Sequence, residues 1–213
     1  MRRFSVALVL ALLACASVPA LAAGRVIVAF GDSLTAGLGI EPDAAYPALL
    51  DARLAREGYD YRVVNAGVSG DTSAGGLRRI DWVLTRAPEV VIVALGANDG
   101  LRGLPPGSMR DNLLAIVQRA RRGGAKVLLA GMRMPPNYGA DYTRDFAQVF
   151  PDVARAAGVP LMPFLLEGVA GEARLNLADG IHPNVEGQRR IAERLWPHLR
   201  PLLTKVGGRP RAL

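Results

Sequence analysis

Cysteine and histidine are almost absent from this 213-residue chain, which has one Cys, at position 15, and two His, at 182 and 198. A single cysteine excludes a disulfide framework, and so few soft ligands exclude a structural zinc site. Aromatic residues make up only 6%, and no basic stripe interleaves with them, so nothing points to nucleic acid as a partner. The net charge of +7 sits largely at the ends. Arg2 and Arg3 stand in the first 22 residues, and Lys205, Arg209 and Arg211 in the last nine, both stretches without an acid. Without those five cations the body carries +2, and its arginines alternate with Asp and Glu as on solvated helix faces. Past the N-terminus no apolar run is long enough to span a bilayer. With 50% hydrophobic and 21% charged residues, the composition is that of a single globular domain with its own core.

The first 22 residues read as an address. Arg2 and Arg3 precede an apolar run from Phe4 to Ala14, and small residues end in Ala20-Leu21-Ala22. That order is the one found in secretory signal peptides, with cleavage expected after Ala22 and a periplasmic or secreted product that has no stable membrane insertion. Leu12-Leu13-Ala14-Cys15 offers an alternative, a lipobox that would anchor the chain through Cys15. In both cases the body lacks a cysteine nucleophile.

From position 23 to 205 the chain alternates strand-like and helical patterns. Arg25–Phe30 is a continuous apolar run of the kind covered on both faces, and Tyr61–Asn65, Val90–Leu95, Lys126–Ala130 and Pro160–Phe164 read similarly. Tyr46, Leu49, Leu50 and Leu54 share a helical face closed by Gly58, and Met109, Leu113, Ile116, Val117 and Ala120 form a second stripe ending at Gly123-Gly124. Two more helices are expected over Ala140–Ala157 and Val185–Trp196. Five strands separated by helices predict one α/β domain with a parallel sheet. Residues 206–213 read as a flexible basic tail. In such sheets chemistry is sought just beyond the carboxyl ends of the strands.

Those ends carry small polar residues. Gly31-Asp32-Ser33-Leu34 follows the first strand, Ser69-Gly70-Asp71-Thr72 the second and Gly96-Ala97-Asn98-Asp99-Gly100 the third. Asp179-Gly180-Ile181-His182-Pro183-Asn184 precedes the last helix. None matches a phosphate loop, a dinucleotide fingerprint or the G-x-S-x-G elbow. Taken singly, Ser33 is as good a helix cap as a nucleophile, and Asn98-Asp99-Gly100 is an ordinary turn. Taken together they satisfy a chemical need. A serine nucleophile requires a base and a group orienting that base, which His182 and Asp179 supply at a three-residue spacing. An oxyanion requires converging donors, available from the Ser33 and Gly70 backbone N–H groups and the Asn98 amide if the strand order is 2-1-3-4-5. His198, between Pro197 and Leu199, reads as a packed or surface histidine.

Gly31-Asp32-Ser33-Leu34, Gly70, Asn98 and Asp179-x-x-His182 resemble the four blocks of the SGNH (GDSL) hydrolase family. The Ser69–Thr72, Gly96–Gly103 and Met132–Gly139 segments are most similar to its thioesterase I, lysophospholipase and arylesterase branch. The resemblance runs from about Arg25 to about Leu203. It implies a three-layer α/β/α fold of flavodoxin-like type, with Ser33 as nucleophile, His182 as base and Asp179 as its orienter. It further implies an oxyanion hole of Ser33, Gly70 and Asn98, with no cofactor and no metal. The expected substrates are small ester molecules: lysophospholipids, short or medium acyl or aryl esters, and acyl thioesters. Leu101–Pro106 and Met134–Pro136 are candidate walls of an acyl groove. Two other readings are a carbohydrate O-acetylesterase and a non-catalytic acyl- or nucleotide-binding module. Oligomeric state is not written in the sequence.

Overall fold

A computed structural model describes residues 25–205; the expected signal segment, Cys15 and the basic tail lie outside them. Five parallel strands form one sheet: β1 (Arg25–Gly31), β2 (Tyr61–Gly67), β3 (Val90–Ala94), β4 (Lys126–Ala130) and β5 (Leu161–Met162), in the order β2-β1-β3-β4-β5. Every residue of β3 and all of β1 after Arg25 are buried. That pattern is why these strands are unbroken apolar runs rather than alternating ones. The order reverses between β1 and β3, opening a crevice at their carboxyl ends.

Among the described residues seven α-helices surround the sheet: α1 (Ser33–Ala36), α2 (Tyr46–Arg56), α3 (Ser73–Leu84), α4 (Ala97–Leu101), α5 (Pro106–Arg122), α6 (Ala140–Ala157) and α7 (Val185–Leu199). α2 packs with α7, while α5 packs between α3 and α6, so two helical layers enclose the sheet. Tyr46, Leu50 and Leu54 of α2 are fully buried, as is the Met109-Leu113-Ile116-Val117-Ala120 stripe of α5.

The short helices α1 and α4 stand where the sequence reading had loops, and two further elements depart from it. β5 has two residues instead of five, because Pro160 and Pro163 flank it and have no N–H to give a ladder. Contact with β4 continues beyond it through Gly131 N–H to Met162 O (2.8 Å) and Leu165 N–H to Gly131 O (2.9 Å). α3 has no counterpart in the pattern reading, since Gly75-Gly76 in its first turn is a poor helix signal. Both glycines sit tightly against neighbouring side chains. A Cβ on Gly76 would lie 2.3 Å from Leu95 Cδ1, and one on Gly75 would lie 1.7 Å from Asp71 Oδ1.

Candidate active site

β1 delivers Ser33. The strand ends at Gly31, Asp32 caps α1 by accepting the Leu34 N–H at 3.0 Å, and Ser33 is the first helical residue. Asp32 is almost wholly buried, and that burial pushes its carboxyl up to about 7, against the lowering effect of its backbone hydrogen bonds. Ser33 keeps 8% of its surface exposed, and its Oγ lies 3.0 Å from His182 Nε2.

His182 is oriented from behind. Its Nδ1 is 2.6 Å from Asp179 Oδ2, and Asp179 Oδ1 accepts the backbone N–H groups of Ile181 (2.9 Å) and His182 (3.0 Å). The His182 backbone bond, then the imidazole bond, hold the Asp179 carboxyl down at about 2. An ionised carboxylate only accepts, so Nδ1 carries the proton and Nε2 is left to accept from Ser33. The loop that carries them is tied at both ends. Leu177 N–H donates to His182 O at 2.7 Å, and the Asn184 side chain caps α7 by accepting from Glu186 and Gly187.

Gln188 then joins this loop's helix to the segment that carries Ser33. It is buried, donates to Leu34 O at 3.1 Å and accepts the Tyr46 N–H at 2.9 Å. Sequence reasoning passed over Gln188 because one polar residue on a helix looks like any solvated one.

The third corner is Asn98, in α4. Its Nδ2 donates to Asp71 O at 3.0 Å and lies 3.5 Å from Asp32 Oδ2. Gly70, at φ +79°, turns the chain just before Asp71, and Arg102 donates to its carbonyl at 2.9 Å. Among the described residues the Ser33 and Gly70 N–H groups have no intramolecular acceptor. The other acids near these loops are engaged elsewhere. Buried Asp99 accepts from Ser73 N–H (2.7 Å) and Oγ (2.6 Å), and Asp71 pairs with Arg79 at 2.6 Å. Asp179 is the acid that reaches the imidazole.

Ser33, Asn98 and His182 open on one cleft of about 550 Å³, whose lining does not include Gly70. Its lining is mostly apolar, with Leu101, Met132, Met134, Pro135, Phe164, Leu166, Ala170 and Ile181. The wall from residues 164–171 was not expected from the sequence, where it carries no motif. Of the two segments expected to line the groove, Leu101–Pro106 contributes only Leu101, and Met134–Pro136 contributes Met134 and Pro135 but not Pro136. His198 lies instead in a separate groove of about 660 Å³ with Arg190, Arg194 and Glu167. Among the described residues no group of three or more His, Cys, Asp or Glu could hold a metal ion. No helix among them is long and apolar enough to cross a membrane.

A doubly wound sheet with a Ser-His-Asp row at its switch point defines a class of serine hydrolase. The chain belongs to the GDSL-like lipase/acylhydrolase family, whose model matches residues 29–190, and it is an esterase of the SGNH type. It is 50% identical over 183 residues to "Esterase TesA" of Pseudomonas aeruginosa, covering 85% of this chain and 91% of that one. To "Thioesterase 1/protease 1/lysophospholipase L1" of Escherichia coli it is 40% identical over 183 residues, covering 85% and 86%. A crystal structure of TesA superposes with a TM-score of 0.82 at 49% identity, covering 84% of this chain and all of that one.

Proposed function

We propose that the protein hydrolyses carboxylic esters with an apolar acyl chain, lysophospholipids among them, and acyl thioesters, through an acyl-enzyme on Ser33. One observation carries this reading: the unbroken row of Asp179 Oδ2, His182 and Ser33 Oγ, with steps of 2.6 and 3.0 Å. Ser33 Oγ attacks the carbonyl carbon as its proton passes to His182 Nε2. Negative charge moves to the carbonyl oxygen, where the Ser33 and Gly70 N–H groups and the Asn98 amide serve as donors. Collapse expels the alcohol or thiol, which takes the proton from Nε2. Water then repeats the sequence, giving up its proton to His182, and the acid leaves as Ser33 recovers its own. Asp179, held ionised, fixes the tautomer throughout and stabilises the imidazolium.

The apolar walls favour acyl chains over an acetylated sugar, which would present hydroxyls to Met132, Met134 and Leu166 without partners. Names of the relatives point the same way, toward esters, thioesters and lysophospholipids. A fluorophosphonate probe, followed by peptide mapping, is the test. The wild type should be labelled on Ser33 and lose octanoyl-ester hydrolysis, and Ser33→Ala should be neither labelled nor active. Labelling elsewhere, or turnover retained by the folded variant, would overturn the assignment. Residues 1–22 are proposed to direct export, with cleavage after Ala22; the intact mass of the exported protein distinguishes this from a lipid on Cys15.

A further inference from the structure

Arg79 takes no part in the chemistry above, yet it is tied to two of its strand ends. It lies on α3, a helix absent from the sequence expectation, with its side chain 18% exposed. Its Nε donates to Asp71 Oδ2 at 2.6 Å, one terminal nitrogen to Ala66 O at 2.8 Å and the other to Gly31 O at 2.8 Å. The plane rests over the Phe30 ring, 4.1 Å from its centroid. Gly31 is two residues before Ser33 and ends β1, Ala66 lies at the end of β2, and Asp71 adjoins Gly70. Asp71 also offers its own carbonyl to Asn98 Nδ2 at 3.0 Å. One planar guanidinium is thereby linked to the segments that carry Ser33 and Gly70, and through Asp71 to Asn98.

We infer that Arg79 is a positioning residue that sets the mutual spacing of the three oxyanion donors; this rests on the reading that Ser33, Gly70 and Asn98 are those donors. Gly31 O already accepts the Val68 N–H at 3.0 Å, so the Arg79 bond there is a second one, and water could take its place if only solvation mattered. A rigid fork of donors does more: it holds two carbonyls and a carboxylate at distances fixed by its own covalent plane. Lysine cannot copy this, because an ammonium is a point charge that cannot reach all three acceptors in a plane. The local sequence is shaped around the device. Gly75 leaves the space Asp71 Oδ1 occupies, since a Cβ there would come within 1.7 Å of that oxygen.

Donor spacing matters to the tetrahedral oxyanion more than to the planar ester, so the effect belongs in kcat. Arg79→Lys, Arg79→Ala and Asp71→Asn are compared with wild type, with kcat counted per serine titrated by the fluorophosphonate so that misfolded protein drops out. Arg79→Lys should lose at least about tenfold in kcat with KM within about twofold. Guanidinium ion in millimolar amounts should restore part of the kcat of Arg79→Ala, and methylammonium should not. Asp71→Asn keeps the two carbonyl bonds and should lose less, still in kcat; it serves if neither Arg79 variant folds. Asn98→Ala is the control. If Asn98→Ala keeps its kcat, the donor assignment itself fails. If Asn98→Ala falls while a folded Arg79→Lys or Asp71→Asn keeps its kcat per titrated serine, or loses only in KM, the positioning role is wrong.

Discussion

At the residue scale, the site is a set of bonds whose partners can be removed one at a time. Asp179→Asn keeps the shape of the side chain but no longer demands a proton on Nδ1, so the imidazole loses the tautomer that accepts from Ser33. A fall of about 10⁴ in kcat, with the fold retained in circular dichroism, is the expected outcome. Asn98→Ala should cost about 10²–10³ in kcat and little in KM, read from full saturation curves. Two carboxyls make opposite contributions to the pH dependence of stability. Asp32 is raised from 3.8 to about 7, so the folded state binds the extra proton and stability falls as pH rises from about 4 to about 7. Asp179 is lowered from 3.8 to about 2; its contribution is present above the ordinary value and is lost as pH falls toward 2. Urea titrations of wild type and Asp32→Asn from pH 4 to 8 check the first. The stability difference should move in favour of the variant up to about pH 7 and then level off.

At the scale of elements, catalytic geometry depends on how closely α1 sits on the sheet. A Cβ on Gly67 would lie 2.3 Å from the Ala36 backbone nitrogen, an atom that no rotamer change can move. Gly67→Ala should therefore push α1 off β2 and displace Ser33, with a loss of about 1–3 kcal/mol in stability measured by urea unfolding and a fall in kcat beside it. Gln188 joins α7, α2 and α1 through buried bonds to Leu34 O and Tyr46 N–H. Gln188→Leu leaves both groups without a partner, at about 1–3 kcal/mol each, and the same unfolding experiment would show it. Neither role appears in a pattern of apolar periodicity, because each rests on what a distant segment places opposite.

Viewed whole, the protein is a switch-point crevice closed by loops far apart in the chain, and its acyl specificity is a property of that closure. Met134 and Ile181 both line the cleft. Met134→Trp should fill part of it and shift preference toward shorter acyl chains, each excluded methylene costing about 0.8 kcal/mol of binding. A series of p-nitrophenyl esters from acetate to decanoate would show the optimum move; an unchanged profile would place the acyl chain elsewhere. The sequence by itself determined the α/β class, four of the five strands nearly to the residue, and the residues of the Asp179-His182-Ser33 row, with Asn98 in the same cleft. It could do so because buried parallel strands need unbroken apolar runs, and because a base and its orienter three residues apart form a local motif. Tertiary structure alone decided the rest. β5 shrank between two prolines, α3 formed despite the two glycines in its first turn, and residues 164–171 joined Met134 in lining one cleft. Arg79 and Gln188 acquired their partners in the same way. Hydrogen bonds between segments dozens of residues apart leave no trace in local pattern, since their donors and acceptors are chosen by the packing that brings the segments together.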